Sequence, residues 1–147
     1  IDLCWRLRSR GRRIVCVPRS VVYHVGGGTL GKENPRKTFL NFRNNLLMLY
    51  KNLPQSRFWV VMCLRFFLDY LAACMFLAKR QTGNARAVCR ARREFWRLRP
   101  SFAEARKENL RKATQKHIPE QYGSSVLWKH YVCHKKTFQQ LTSCLNH

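Results

Sequence analysis

Acidic residues are scarce in this 147-residue chain: 7 Asp plus Glu stand against 29 Lys plus Arg, a formal net charge of +22. Most cations therefore have no carboxylate to pair with and must face water or a polyanion such as phosphate, an anionic membrane or nucleic acid. Glycine (7) and proline (5) are too few for collagen or low-complexity sequence. No CxxC pair occurs among the seven cysteines, and their odd number in a chain of this length favours a reducing compartment over a disulfide scaffold. His130, Cys133 and His134 match no common zinc spacing. Ser/His/Asp spacing, paired carboxylates and a phosphate-loop motif are all missing. No charged-then-apolar leader opens the sequence, which starts on Ile1 and reads as a piece of a longer chain. What is plentiful is apolar surface: hydrophobic residues make up 46%, which excludes a disordered basic tail, and the length suits one ordinary domain.

Along the chain, Leu3 and Leu7 stand four apart beside a stripe of Arg6 and Arg10, which predicts a short amphipathic helix over 2–10, ended by Gly11. Ile14, Val15, Val17, Val21 and Val22 then favour one or two short strands within 13–25, broken at Pro18. Gly26, Gly27, Gly28 and Thr29 open a glycine-rich loop. Asn34 as N-cap and Pro35 at the first helical position start a helix that Pro54 stops. Its expected buried face is Phe39, Phe42, Leu46, Leu49 and Leu53, while Arg36 and Arg43 lie seven apart on one side.

Residues 58–78 are the most apolar stretch, and Arg65 and Asp69 are its charges, spaced to pair across one helical turn. The length would span a bilayer, but two central charges cost roughly +5 to +7 kcal/mol against roughly −3 to −6 kcal/mol from the apolar residues, a sum near zero or slightly unfavourable. Basic residues flank the stretch on both sides, against the positive-inside rule. A helix lying in or against the membrane surface, or packed on the rest of the protein, is the preferred reading, with a single span as the alternative. Residues 79–117 carry 13 Lys and Arg against three Glu, a composition that suits either anionic headgroups or a solvated helical face. Thr82-Gly83-Asn84 and Pro100-Ser101 divide this region into helices, and Ser124 is placed to cap a last short one. The organisation read from the sequence is 1–53, 54–81 and 82–147: a segment of helix, strand, glycine-rich loop and helix, an apolar membrane-associated helix and a basic helical region.

IDLCWRLRSRG, a valine-rich segment, and VVYHVGGGTLGKENPRKTFLNFRNNLLMLYKNLP closely resemble the end of bacterial family 2 glycosyltransferases of the GT-A fold, above all the rhamnosyltransferase-like members that build cell-surface polysaccharide. ENLRKATQKHIPEQYG is similar to their C-terminal region. The likeness is specific over the first 53 residues, which it makes the end of a catalytic domain, and looser beyond. It implies a fold that is mainly α with one or two short β-strands, as the truncated C-terminal part of an α/β GT-A glycosyltransferase with C-terminal helices. It implies sugar transfer from a nucleotide-sugar donor to an acceptor hydroxyl, lipid-linked or on a glycan, aided by a divalent cation, Mn²⁺ or Mg²⁺.

In that family the general-base carboxylate stands just before the IDLCWR-type helix. This chain holds no catalytic residue of that kind, Asp2 is no convincing substitute, and 1–147 is expected to be inactive alone. His24 matches the position where many such enzymes place a histidine near the metal. Gly26, Gly27, Gly28 and Thr29 would form a flap over the donor, and Arg36 and Arg43 would meet its diphosphate. The implied location is the cytoplasmic face of the bacterial inner membrane, peripheral or single-span. The competing reading is a non-catalytic basic helical module that binds an anionic membrane or nucleic acid. Nucleic acid is the weaker partner, because the aromatics sit in apolar runs and do not alternate with Arg.

Overall fold

The computed structural model describes residues 1–23 and 34–115, with positions 118, 130, 133, 134, 137 and 140. Residues 1–115 form one compact unit and 116–147 a second. The first unit contains α1 (Asp2–Ser9), α2 (Pro35–Asn52), α3 (Gln55–Ala78), α4 (Thr82–Leu98), a 3₁₀ turn (Arg99–Phe102) and α5 (Ala103–Lys112). The last helix expected after Ser124 lies outside the described residues.

Local chemistry sets the helix boundaries. Asn34 Oδ1 accepts a hydrogen bond from the Arg36 amide at 2.8 Å, with Pro35 in the first turn, so the N-cap falls where its residue types demand. Gly11 takes φ +75° just past α1, a conformation that costs glycine nothing. Pro54 separates α2 from α3. Lacking an N–H, it leaves the Tyr50 carbonyl without the donor a continuing helix would supply. The Arg106 guanidinium donates to that carbonyl from α5, and to Gln55 Oε1 at 3.1 Å, while lying over the rings of Tyr50 and Phe58.

Three helices make the core. Thr38 bonds Asn84 at one end of the α2–α4 pair and Tyr50 meets Phe95 at the other, so these two helices run parallel. Asp69 pairs with Arg92 while Ala73 packs with Ala85, so α3 runs antiparallel to α4. Leu46, Leu47, Tyr50, Leu53, Phe58, Met62 and Phe95 fill the centre, with Trp5 and Phe102 against them. At about 1.5–3 kcal/mol for each large apolar side chain, this burial is the main favourable term. Of the face expected on α2, Leu46 and Leu53 are buried, Leu49 and Phe42 pack half-buried against the core, Phe39 is half-buried, and Leu47 and Tyr50 join the buried set.

A polar clamp ties α1 and α5 to the C-terminal end of α2. The Asp2 carboxylate accepts from Lys51 Nζ at 2.9 Å, Asn52 Nδ2 at 2.7 Å and Arg6 Nε at 3.2 Å. Asn109 donates to Asn52 Oδ1 and accepts from Arg10, each at 3.2 Å. Burial acts to raise the Asp2 pKa, but the bonds from Lys51 and Asn52 and the charges of Lys51 and Arg6 outweigh it and hold the carboxyl below its ordinary value.

The expectation of an α/β GT-A remnant with one or two strands within 13–25 is corrected. Among the described residues every regular element is helical, and residues 12–23 run irregular and exposed, with a turn at Pro18-Arg19 closed by Ser20 N–H to the Val17 carbonyl at 2.9 Å. Val15 is 70% and Val22 83% exposed. β-branched composition favours a strand only where a neighbouring strand offers hydrogen bonds and a face to pack on, and among the described residues there is none. The mainly α part of the expectation agrees with the structure.

Candidate functional site

Two features stand out on the first unit, and α4 belongs to both. The first is α3, which after its first turn is apolar outside and charged inside. Asp69 is 0% exposed, held by Arg65 from one turn earlier at 2.7 Å and by Arg92 from α4 at 2.6 Å. Arg92 is itself buried and lies over the rings of Phe66 and Tyr70. Burial pushes the Asp69 carboxyl up, against the pull of Arg65 and Arg92. With Arg65 and Asp69 turned inward and Arg57 exposed in the first turn, the outward face beyond it is Trp59, Val60, Leu64, Phe67, Leu71 and Met75, with Val60 72% and Phe67 65% exposed. A continuous outward apolar face on a monomeric helix marks a surface that something apolar covers. The helix is long and apolar enough, by length and composition, to cross a membrane.

The second feature is a groove of about 630 Å³ between the N-terminal halves of α2 and α4. Arg36 and Arg43 line it from α2, and Arg86 and Arg90 from α4. The ring of Phe39 also lines it, with the Arg43 guanidinium 5.2 Å and that of Arg90 5.5 Å from the ring centre. The helices close on each other where Gly83 meets Pro35: a Cβ at Gly83 would stand 3.0 Å from Pro35 Cγ. Arg43 is oriented by Asn44, whose Oδ1 accepts from its Nε at 3.1 Å and Nη2 at 2.9 Å. Among the described residues Arg36, Arg86 and Arg90 have no carboxylate partner. Glu94 is committed to Arg97, whose hydrogen bond, with the fields of Arg97, Arg43 and Arg90, holds its carboxyl below the usual range despite slight desolvation.

Of the residues singled out from sequence, Arg36 and Arg43 come together in this groove. His24, Gly26, Gly27, Gly28 and Thr29 lie outside the described residues. Among the described residues no three His, Cys, Asp or Glu side chains gather in a way that could hold a metal ion. Sequence reasoning missed Arg86, Arg90 and Arg92. Arg86 and Arg90 stand at i, i+4, which announces a shared helix face, but nothing in the spacing says that the face meets Arg36 and Arg43. Arg92 lies within a charge run whose composition suits headgroups or a solvated face, yet it is the buried partner of Asp69. Compared with protein families, with curated proteins and with solved structures, the chain matches none.

Proposed function

We propose that this chain is the membrane-docking part of a glycosyltransferase that uses a nucleotide-sugar donor and works on an acceptor at an anionic membrane surface. The observation that carries the membrane half of this reading is the inversion of α3 beyond its first turn: Asp69 is neutralised inside the bundle by Arg65 and Arg92, and the outward face from Phe58 to Ala78 is apolar, with the exposed Arg57 at its N-terminal edge. The sugar-transfer half is supported by the resemblance of residues 1–53, with a divalent cation implied as the helper of donor cleavage and His24 as its candidate ligand.

Lying in the plane of the interface is favoured over spanning. The helix is about 36 Å long at 1.5 Å per residue, enough for a bilayer core. However, α4 is packed antiparallel along it and would enter the hydrocarbon with it. Arg86, Arg90, Arg93 and Arg97 are exposed on α4. At about +2.5 to +3.5 kcal/mol each, four such residues cost about 10–14 kcal/mol, well beyond what α3 returns. An in-plane α3 keeps those arginines in water or against headgroup phosphates, where each nearby cation contributes roughly 1 kcal/mol.

Cys63 and Cys74 both lie exposed on α3 and allow a direct test. Spin labels at the two positions on protein bound to anionic vesicles should report the same shallow depth. A span would separate them by roughly 16 Å along the normal, and that result would remove the in-plane reading. Flotation with vesicles rich in anionic lipid, lost with zwitterionic vesicles and not reversed by short DNA, is the expected binding pattern. Equal competition by DNA would move the assignment to the basic nucleic-acid module. Sugar transfer is tested by assaying an enzyme that carries this sequence with candidate nucleotide-sugars and a divalent cation. Absence of transfer with every donor would remove the enzymatic half while leaving the membrane half intact.

A further inference from the structure

We propose that the groove between α2 and α4 is a diphosphate-binding site, in which Arg86 and Arg90 complete a set begun by Arg36 and Arg43. The resemblance points to the two residues on α2 only. The two on α4 lie beyond its specific region and enter through tertiary packing.

Four guanidiniums in one groove repel one another; among the described residues none of them makes an ion pair, and Glu94, bonded to Arg97, acts on Arg43 and Arg90 only through its field. Their arrangement is nonetheless built. Phe39 carries two of them on its ring, Asn44 turns a third-party amide oxygen to Arg43, and the Gly83–Pro35 contact brings the helices close enough for the pairs to face each other. Forked guanidiniums are suited to phosphate oxygens, and four of them match a group with two phosphates better than one with a single charge. Because α2 and α4 run parallel, the positive ends of both helix dipoles point toward the same end of the groove and add to its field. A volume of about 630 Å³ admits a diphosphate with an attached organic group.

A diphosphate comes either from a soluble nucleoside diphosphate or its sugar ester, or from a lipid headgroup. The groove is lined on α4 by Gly83, Arg86, Ala87 and Arg90, whereas α3 packs against a different face through Ala85, Val88 and Arg92. With the apolar face of α3 toward lipid, the groove opens to water, which favours the soluble source. This choice of source, unlike the site itself, rests on the membrane reading given above.

Isothermal titration of the full 147-residue protein with inorganic pyrophosphate and with uridine diphosphate, at low and moderate salt, tests the site. The double substitution R86Q/R90Q should weaken both by roughly ten-fold or more, as expected when charged hydrogen bonds are removed. The pair R93Q/R111Q removes the same net charge from exposed arginines that do not line the groove, and should leave affinity within about two-fold. Equal losses in the two pairs, or no binding by the parent protein, would overturn the proposal. All four residues are exposed, and a helical signal matching the parent protein verifies that each variant is folded. Displacement of pyrophosphate by vesicles carrying a diphosphate lipid, with none by uridine diphosphate, would overturn the soluble source. R86Q/R90Q should still float with anionic vesicles, so failure of the groove and failure of membrane docking are read separately.

Discussion

Arg92 reaches from α4 to bring Nη1 within 2.6 Å of Asp69 Oδ2, and neither side chain retains appreciable exposure. The pair joins two helices that are otherwise held by apolar contacts, and Arg65 flanks it on the second carboxylate oxygen at 2.7 Å. Taking Asp69 and Arg92 out of water is expensive, and Arg65 is only partly exposed, so the cluster is stable only while the carboxylate is there to pair with both guanidiniums. D69A leaves two guanidiniums facing each other and should lower the unfolding free energy by about 3–5 kcal/mol. The triple change R65M/D69L/R92M should be nearly neutral. Urea denaturation followed by circular dichroism compares them, and a triple variant as unstable as D69A would contradict this account.

Charge on the outward face of α3 should affect lipid binding and little else. Phe67 and Leu71 are exposed, so F67E and L71K remove no core contact and should leave the urea midpoint unchanged. Each removes a large apolar group from the lipid contact, worth about 1.5–3 kcal/mol, and should weaken partition into anionic vesicles by about ten-fold to a hundred-fold. Vesicle titration by tryptophan emission measures it.

Docking of α1 should fail in acid. The Asp2 carboxyl is held below its ordinary value in the folded state, so its contribution is complete above the unfolded value of about 3.9 and is lost as pH falls through the folded value. D2N should flatten the acid limb of stability below about pH 4 and cost stability at neutral pH. The check is the urea midpoint of both proteins between pH 7 and pH 3, and identical acid limbs would show that Asp2 is not the group titrating.

Arg106 should behave as the missing donor at the α2–α3 corner. R106M leaves the Tyr50 carbonyl buried without a partner and should cost about 1–3 kcal/mol. E104Q on the same helix changes an exposed i, i+3 pair with Lys107 and should cost little. Denaturation midpoints of the two variants distinguish a specific bond from a general loss of charge on α5.

Much of the local architecture is legible in single residues and their spacing. Asn34-Pro35 announces the start of α2, Pro54 its end, Gly11 the end of α1, and Arg65 and Asp69 their mutual pairing, because caps, breaks and i, i+4 contacts depend on neighbours within a turn or two. The valine-rich segment misleads for the opposite reason: a strand is decided by a partner that local sequence does not contain. Arg36 and Arg43 are visible as one side of α2, but half of their groove comes from Arg86 and Arg90, about fifty residues away, and only packing brings the two halves together.

By itself the sequence determined that this is a helix-rich, strongly basic chain with one long apolar helix, since composition, periodicity and capping act over short range and need no fold to operate. Tertiary structure decided which way that helix faces and which arginines are buried, paired or left open. Those outcomes depend on α4 lying parallel to α2 and antiparallel to α3, an arrangement set by the best mutual burial of Leu46, Tyr50, Phe58 and Phe95 and by the need to neutralise Asp69 away from water.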